Sequence, residues 1–308
     1  AEVVVMNKHG LSMAADSAIT SGIDGIRKVY NSANKLFPLS EKHPIGIMVY
    51  GSASFMEVPW DVIIKSYRAY LGKRTFNTLP EYMSHFVHFL KENEQFHCVD
   101  MERVIVYRTF SDILKRIVKE VEDNVVIYDH NRIQDQRLQD VTDSITQCVQ
   151  RYLNKFKQKE DCLLNLDFQS FVSTFKQTMN EVMDDLITYQ IPFSLKEILY
   201  ELAFLLIKKD YFSKGSSGFV MAGYGDGQIF PHLINYRLEG FVLNKLKYKK
   251  LEEKEISYST DKKDGTASIS AFGQREMIDA FLEGIEPDME DRIFKIIEKQ
   301  FIELKTMN

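Results

Sequence analysis

Long apolar runs are missing from this 308-residue chain: none reaches the roughly 18 to 20 residues that a helix needs to cross a bilayer. No membrane-spanning helix is expected. Cysteine is scarce, and Cys98, Cys148 and Cys162 are odd in number without a CxxC spacing, which argues against a disulfide framework and for reduced thiols in a cytoplasm. The N-terminus has no basic segment followed by an apolar stretch, so a secretory signal is not expected. It has no initiator methionine either, which predicts a processed or engineered end at Ala1. Positive charge is not in excess: a net charge of -5 argues against a nucleic-acid partner. The basic stretch "NKLKYKK" at 244–250 reads as a solvated strand edge kept from aggregating by its lysines. Repeats and low-complexity segments are absent, and glycine does not occur from 97 to 213.

The residues that are there divide the chain into sheet, helix and sheet. "EVVVMNK" is β-branched and runs through a turn at His9-Gly10 into "LSMAADS", which predicts a hairpin. "KVYNSANKLFPLS" and "IGIMVYGSAS" are further strand candidates, the second apolar enough to be covered on both faces. After Pro59, "WDVIIKSYRAYLG" puts Val62, Ile63, Tyr67 and Tyr70 on one helical face, and 79–96 repeats an amphipathic pattern. From 97 to 213 apolar residues recur at three- and four-residue spacing, the mark of a helical block, which "YFSKGSSGF" connects to a meander of strands. The last stretch, from "GQREMIDAF" onward, reads as helical with an interruption at Pro287.

Neither a metal site nor a cofactor box is expected. His85 and His88 have the spacing of a helical metal pair, but with no cysteine or acidic motif beside them they read as half-buried histidines on an aromatic face. Gly223, Gly225 and Gly227 are not followed by Lys-Ser/Thr or by a helix, so a β-turn explains them better than a phosphate loop.

The front end carries the chemistry. "HGLSMAADSAIT" resembles the corresponding stretch of proteasome β-type subunits, in the N-terminal-nucleophile hydrolase superfamily. "NKLF" at 34–37 is similar to the family's lysine-bearing strand, and "IGIMVYGSASF" to the strand ending in its oxyanion glycine. "FVMAGYGDGQIFPHLINYRLEG" looks like a hairpin of its second sheet. The resemblance covers roughly 1–95 and 216–285, and with its insertion the chain more closely resembles bacterial proteins with a proteasome-type domain. It implies an α+β fold, a four-layer αββα sandwich formed by 1–96 with 214–308, from which the helical insertion 97–213 protrudes as a subdomain.

Position by position, the resemblance makes Asp16 the acid that orients lysine and terminal residue. Lys35 becomes the cation that lowers a nucleophile's or amine's pKa, and Gly51 the backbone N–H donor to an oxyanion. Lys28 competes for the lysine role, but Lys35 precedes an apolar pair as the family's lysine does. Thr20 and Ala53 would bind an extended peptide by strand addition, and Val49 would line a specificity pocket. The nucleophilic threonine falls directly before Ala1 when counted without gaps, or at Ala1 itself if the first strand is one residue shorter. Alanine offers no nucleophile. Gln274 stands where the family has a serine supporting the amine, and the later Asp-x-x-Ser-Gly-Gly segment is missing. Two functions remain open: a peptide or amide hydrolase assembled as a homo-oligomer around a chamber, or a catalytically silent subunit whose insertion binds a regulatory partner. Peptide or protein substrates are the expected ligands, with no cofactor, metal, nucleic acid or membrane.

Overall fold

Glu2, Val4 and Met6 alternate with Val3, Val5 and Asn7, and this period of two makes the first strand, β1 (Glu2–Asn7), with its even positions buried. The computed structural model describes residues 2–16, 19–23, 26–30, 34–125, 134–163, 165–188, 190–258 and 265–273, then 278, 280, 284, 289 and 292–297. Of these, 19–23, 26–30, 124–125 and 134–138 are described by backbone alone. β1 turns through Lys8 and His9 into β2 (Gly10–Ala15), one residue earlier than the sequence reading places the turn. Asn7 sets that register: its Oδ1 accepts from the backbone N–H groups of His9 (2.8 Å) and Gly10 (3.2 Å).

β3 (Ile19–Ile23) and β4 (Ile26–Tyr30) form a second hairpin, followed by β5 (Leu36–Pro38) and β6 (Ile45–Gly51). β7 (Ser54–Phe55) and β8 (Val58–Pro59) pair across a two-residue turn in which Met56 and Glu57 take φ of 50° and 61°, the geometry of a tight hairpin. Two helices, α1 (Trp60–Leu71) and α2 (Leu79–Glu92), come next, and the Glu81 side chain takes the N–H of Thr78 at the start of α2. The face that α1 buries consists of Trp60, Ile63, Ile64, Tyr67 and Leu71, so Val62, 47% exposed, and Tyr70 lie outside it, contrary to the sequence reading. Spacings of three and four from Trp60 outweigh those counted from Val62 because Trp60 is the larger apolar anchor. Four helices follow: α3 (Val99–Val125), α4 (Gln134–Lys157), α5 (Phe168–Leu186) and α6 (Phe193–Lys208). The chain returns to sheet with β9 (Ser217–Gly223), β10 (His232–Val242), β11 (Lys245–Glu255) and β12 (Ala267–Phe272).

The result is an α+β fold with antiparallel sheets. A three-stranded sheet is ordered β12-β1-β2, and a five-stranded sheet β11-β10-β9-β6-β5. Val4, Met6 and Phe272 of the smaller sheet meet Met48, Val220, Ala222 and Leu233 of the larger one in a buried cluster, so the two sheets lie face to face. The other side of the larger sheet packs on helices, with Phe219 stacked on Phe86 of α2 at 4.2 Å between ring centroids. That core continues into the helical block through Ile105 and Phe110 of α3, Phe175 of α5 and Leu202 of α6. The block therefore shares the sheet's core, with α3 packed on β10. Glu102, buried on α3, fastens it by accepting from the backbone N–H groups of Leu243 (2.9 Å) and Asn244 (3.1 Å) at the β10–β11 turn.

β11 is an edge strand, as "NKLKYKK" suggests, but Lys247 within it is fully buried. Its Nζ donates to the carbonyls of Leu206 (2.9 Å) and Tyr211 (2.5 Å) and lies over the Phe212 ring. His85 touches the rings of Tyr67, Tyr70 and Phe76, while His88 is exposed, so the expected aromatic setting holds for the first alone. Among the described residues no group of three or more potential ligands could hold a metal ion, and no helix is long and apolar enough to cross a membrane.

Candidate active site

Antiparallel pairing of Glu2 with Ala15 brings the start of β1 beside the end of β2, where Asp16 follows. Lys35 stands immediately before β5 and reaches both segments. Its Nζ donates to Asp16 Oδ1 at 2.5 Å and to Glu2 Oε1 at 2.8 Å. The two carboxylates differ in setting: Asp16 is 43% exposed and Glu2 is 4% exposed. Gly273, at φ 66°, leaves room for Glu2, since a Cβ there would lie 2.3 Å from Glu2 Oε2.

This clamp favours the charged forms of Asp16 and Lys35. Hydrogen bonding from Lys35 holds the Asp16 carboxyl down at about 2. Partial burial disfavours the charge on Lys35, but the hydrogen bonds it donates to Asp16 and Glu2 outweigh it and raise its pKa above the ordinary lysine value. Lys35 is thus a fixed cation at neutral pH and not a proton acceptor.

A cavity of about 260 Å³ opens beside it, and its lining includes Lys35, Val49, Gly51, Ala53, Trp60 and Asp61. Four residues singled out from the sequence therefore share one cleft, with Asp16 bound to one of them. β6 supplies the buried Val49 and ends at Gly51, where φ is 81° and a Cβ would lie 2.7 Å from the Ser216 carbonyl oxygen. Only glycine fits there without displacing backbone. Ser217, opposite Gly51, ties the cleft wall together: its Oγ accepts from Trp60 Nε1 (3.0 Å) and donates to the carbonyl of Ser52 (3.1 Å).

Thr20 lies in β3 and Lys28 in β4 opposite Ser21, with their side chains outside the described residues. Ala1 and Gln274 lie outside them altogether. Sequence reasoning missed Glu2, Trp60 and Ser217. Glu2 had a usable signal, because it falls in phase with the buried Val4 and Met6 of an alternating strand. In comparisons with protein-family models, curated proteins and solved structures, nothing matched this chain.

Proposed function

We propose that this chain carries the site of an N-terminal-nucleophile hydrolase of the proteasome β type, acting on peptide or related amide bonds. The observation that carries the reading is the junction of the Lys35 clamp with the cleft lined by Val49, Gly51 and Ala53, at the place where β1 begins. Pairing of Glu2 with Ala15 sets the start of β1 beside the segment that carries Asp16.

The chemistry follows from the charge states. Lys35 is already protonated, so the base that takes a terminal threonine's hydroxyl proton is the chain's own α-amine. The freed oxygen bonds to the substrate carbonyl carbon, and the negative charge moves to the carbonyl oxygen, which the Gly51 N–H and the Lys35 field stabilise. When the amide C–N bond breaks, the amine leaves with the proton held by the α-amine. Water then attacks the remaining ester, restoring the hydroxyl and releasing the acid.

The four-layer αββα arrangement belongs to the same proposal. Val5 and Ile269 expose 41% and 47% of their surface on the outer face of the smaller sheet, while the helical residues Ile293, Phe294 and Ile296 are exposed in turn. Helices following β12 are the natural cover for that face.

The test is hydrolysis of fluorogenic peptides by two variants, Ala1→Thr and a chain with threonine directly before Ala1. One of them is expected to turn over substrate and to lose turnover on Lys35→Met. If neither cleaves any peptide or amide, the reading fails in favour of a silent, partner-binding subunit.

A further inference from the structure

The geometry points to a second ligand site behind the cleft wall, and we propose that it binds a small α-amino acid. A cavity of about 150 Å³ lies between α3 and the segment around Ser52–Ser54. Since a cavity needs about 10–15 Å³ of this measure to take one water, there is room for a molecule on the order of ten heavy atoms.

Its charges define what fits. Arg108 of α3 is half-buried and enters the lining, and among the described residues its guanidinium has no ion-pair partner. Gly215 makes space for it, because a Cβ there would lie 1.7 Å from Nη1. Two carboxylates share the lining, Glu57 on the β7–β8 turn and Glu239 on β10. Glu239 is held in place by the Ser213 N–H (2.9 Å) and hydroxyl (2.5 Å). A lone anion would pair with Arg108 but face both carboxylates, and a lone cation would meet the guanidinium. A zwitterion satisfies both signs, its carboxylate on Arg108 and its ammonium towards the glutamates. The lining is completed by Ser52, Ser54 and four apolar residues, Met56, Met101, Val104 and Ile105, and the small volume favours a small side chain.

This site is wired to the cleft. Ser52 lines both cavities, and the Ser52 carbonyl accepts from Ser217, whose oxygen in turn accepts from Trp60 Nε1. Trp60 is the single tryptophan of the sequence, so occupancy of the second cavity has a built-in reporter in the wall of the first. The inference stands independently of the hydrolase reading, and its test needs no catalysis.

The experiment titrates the full chain with L-alanine by calorimetry while following Trp60 emission, with acetate and methylammonium as single-charge probes. Saturable binding with an emission change is expected, and Arg108→Gln should weaken it by about tenfold or more through loss of charge-assisted hydrogen bonds. Arg103→Gln, an exposed arginine on the same helix, should leave the affinity unchanged. Absence of saturable heat with L-alanine overturns the proposal. So does equal affinity in Arg108→Gln, or acetate or methylammonium binding as tightly as L-alanine.

Discussion

Lys35 shares its charge between a carboxylate in water, Asp16, and one in the protein, Glu2. With its pKa lowered to about 2, Asp16 contributes stability that is present above the ordinary carboxyl value near 3.8 and is lost as pH falls towards 2. That contribution is modest because Asp16 is 43% exposed and screened. An NMR titration of the Asp16 carboxyl should therefore show a midpoint well below 3.8, moving up in Lys35→Met. Lys247 gives a slope of the same sign in a different window, but its shift is a cost to stability at neutral pH. Burial lowers its pKa to about 8, so between about 8 and 10.5 the unfolded chain holds a proton that the folded chain has released. Stability should rise with pH across that window in urea unfolding, and Lys247→Met should abolish the slope. The same variant leaves the carbonyls of Leu206 and Tyr211 without their donor, at a cost of about 1–3 kcal/mol. Asp16, Lys35 and Gly51 were legible in the sequence as an ordered set. Lys247 was not, since a lysine among lysines on an edge strand reads as solvated until the α6 connector is folded over it.

At the scale of elements, the short pieces between β6 and α1 do most to shape the cleft. Gly51, Ser52, Ser54 of β7 and Trp60 are held together by Ser217, which follows the helical block in the chain. Gly51→Ala forces a Cβ against the Ser216 carbonyl in a left-handed backbone, so a loss of about 1–3 kcal/mol is expected in thermal or chemical unfolding. The existence and type of β1 and α1 could be read from periodicity and of β6 from its continuous apolar run, whereas the β7–β8 hairpin could not. Boundaries could not, because they depend on side chains acting on distant backbone: Asn7 moves the first turn by one residue, and Trp60 rotates the buried face of α1. Glu102 is another such contact. Glu102→Ala removes the acceptor for Leu243 and Asn244 and should destabilise by about 1–3 kcal/mol, with hydrogen exchange accelerated first at the β10–β11 turn.

For the whole molecule, one apolar core joins the five-stranded sheet to all of the helical block described. Glycine-free helical periodicity announced the block, but periodicity says nothing of which face meets which sheet, and so it could not show that the block shares the sheet's core. Replacing 97–213 by a short linker would leave Phe241, Leu238 and their neighbours uncovered, and the shortened chain is expected to lose cooperative unfolding. Val49 and Trp60 of the cleft lining belong to that same core. The most direct measurement is mass-spectrometric localisation of a β-lactone adduct on the threonine-bearing forms. The account predicts an adduct on the terminal threonine that disappears in Lys35→Met. An unlabelled terminus, or labelling that survives loss of Lys35, would contradict it.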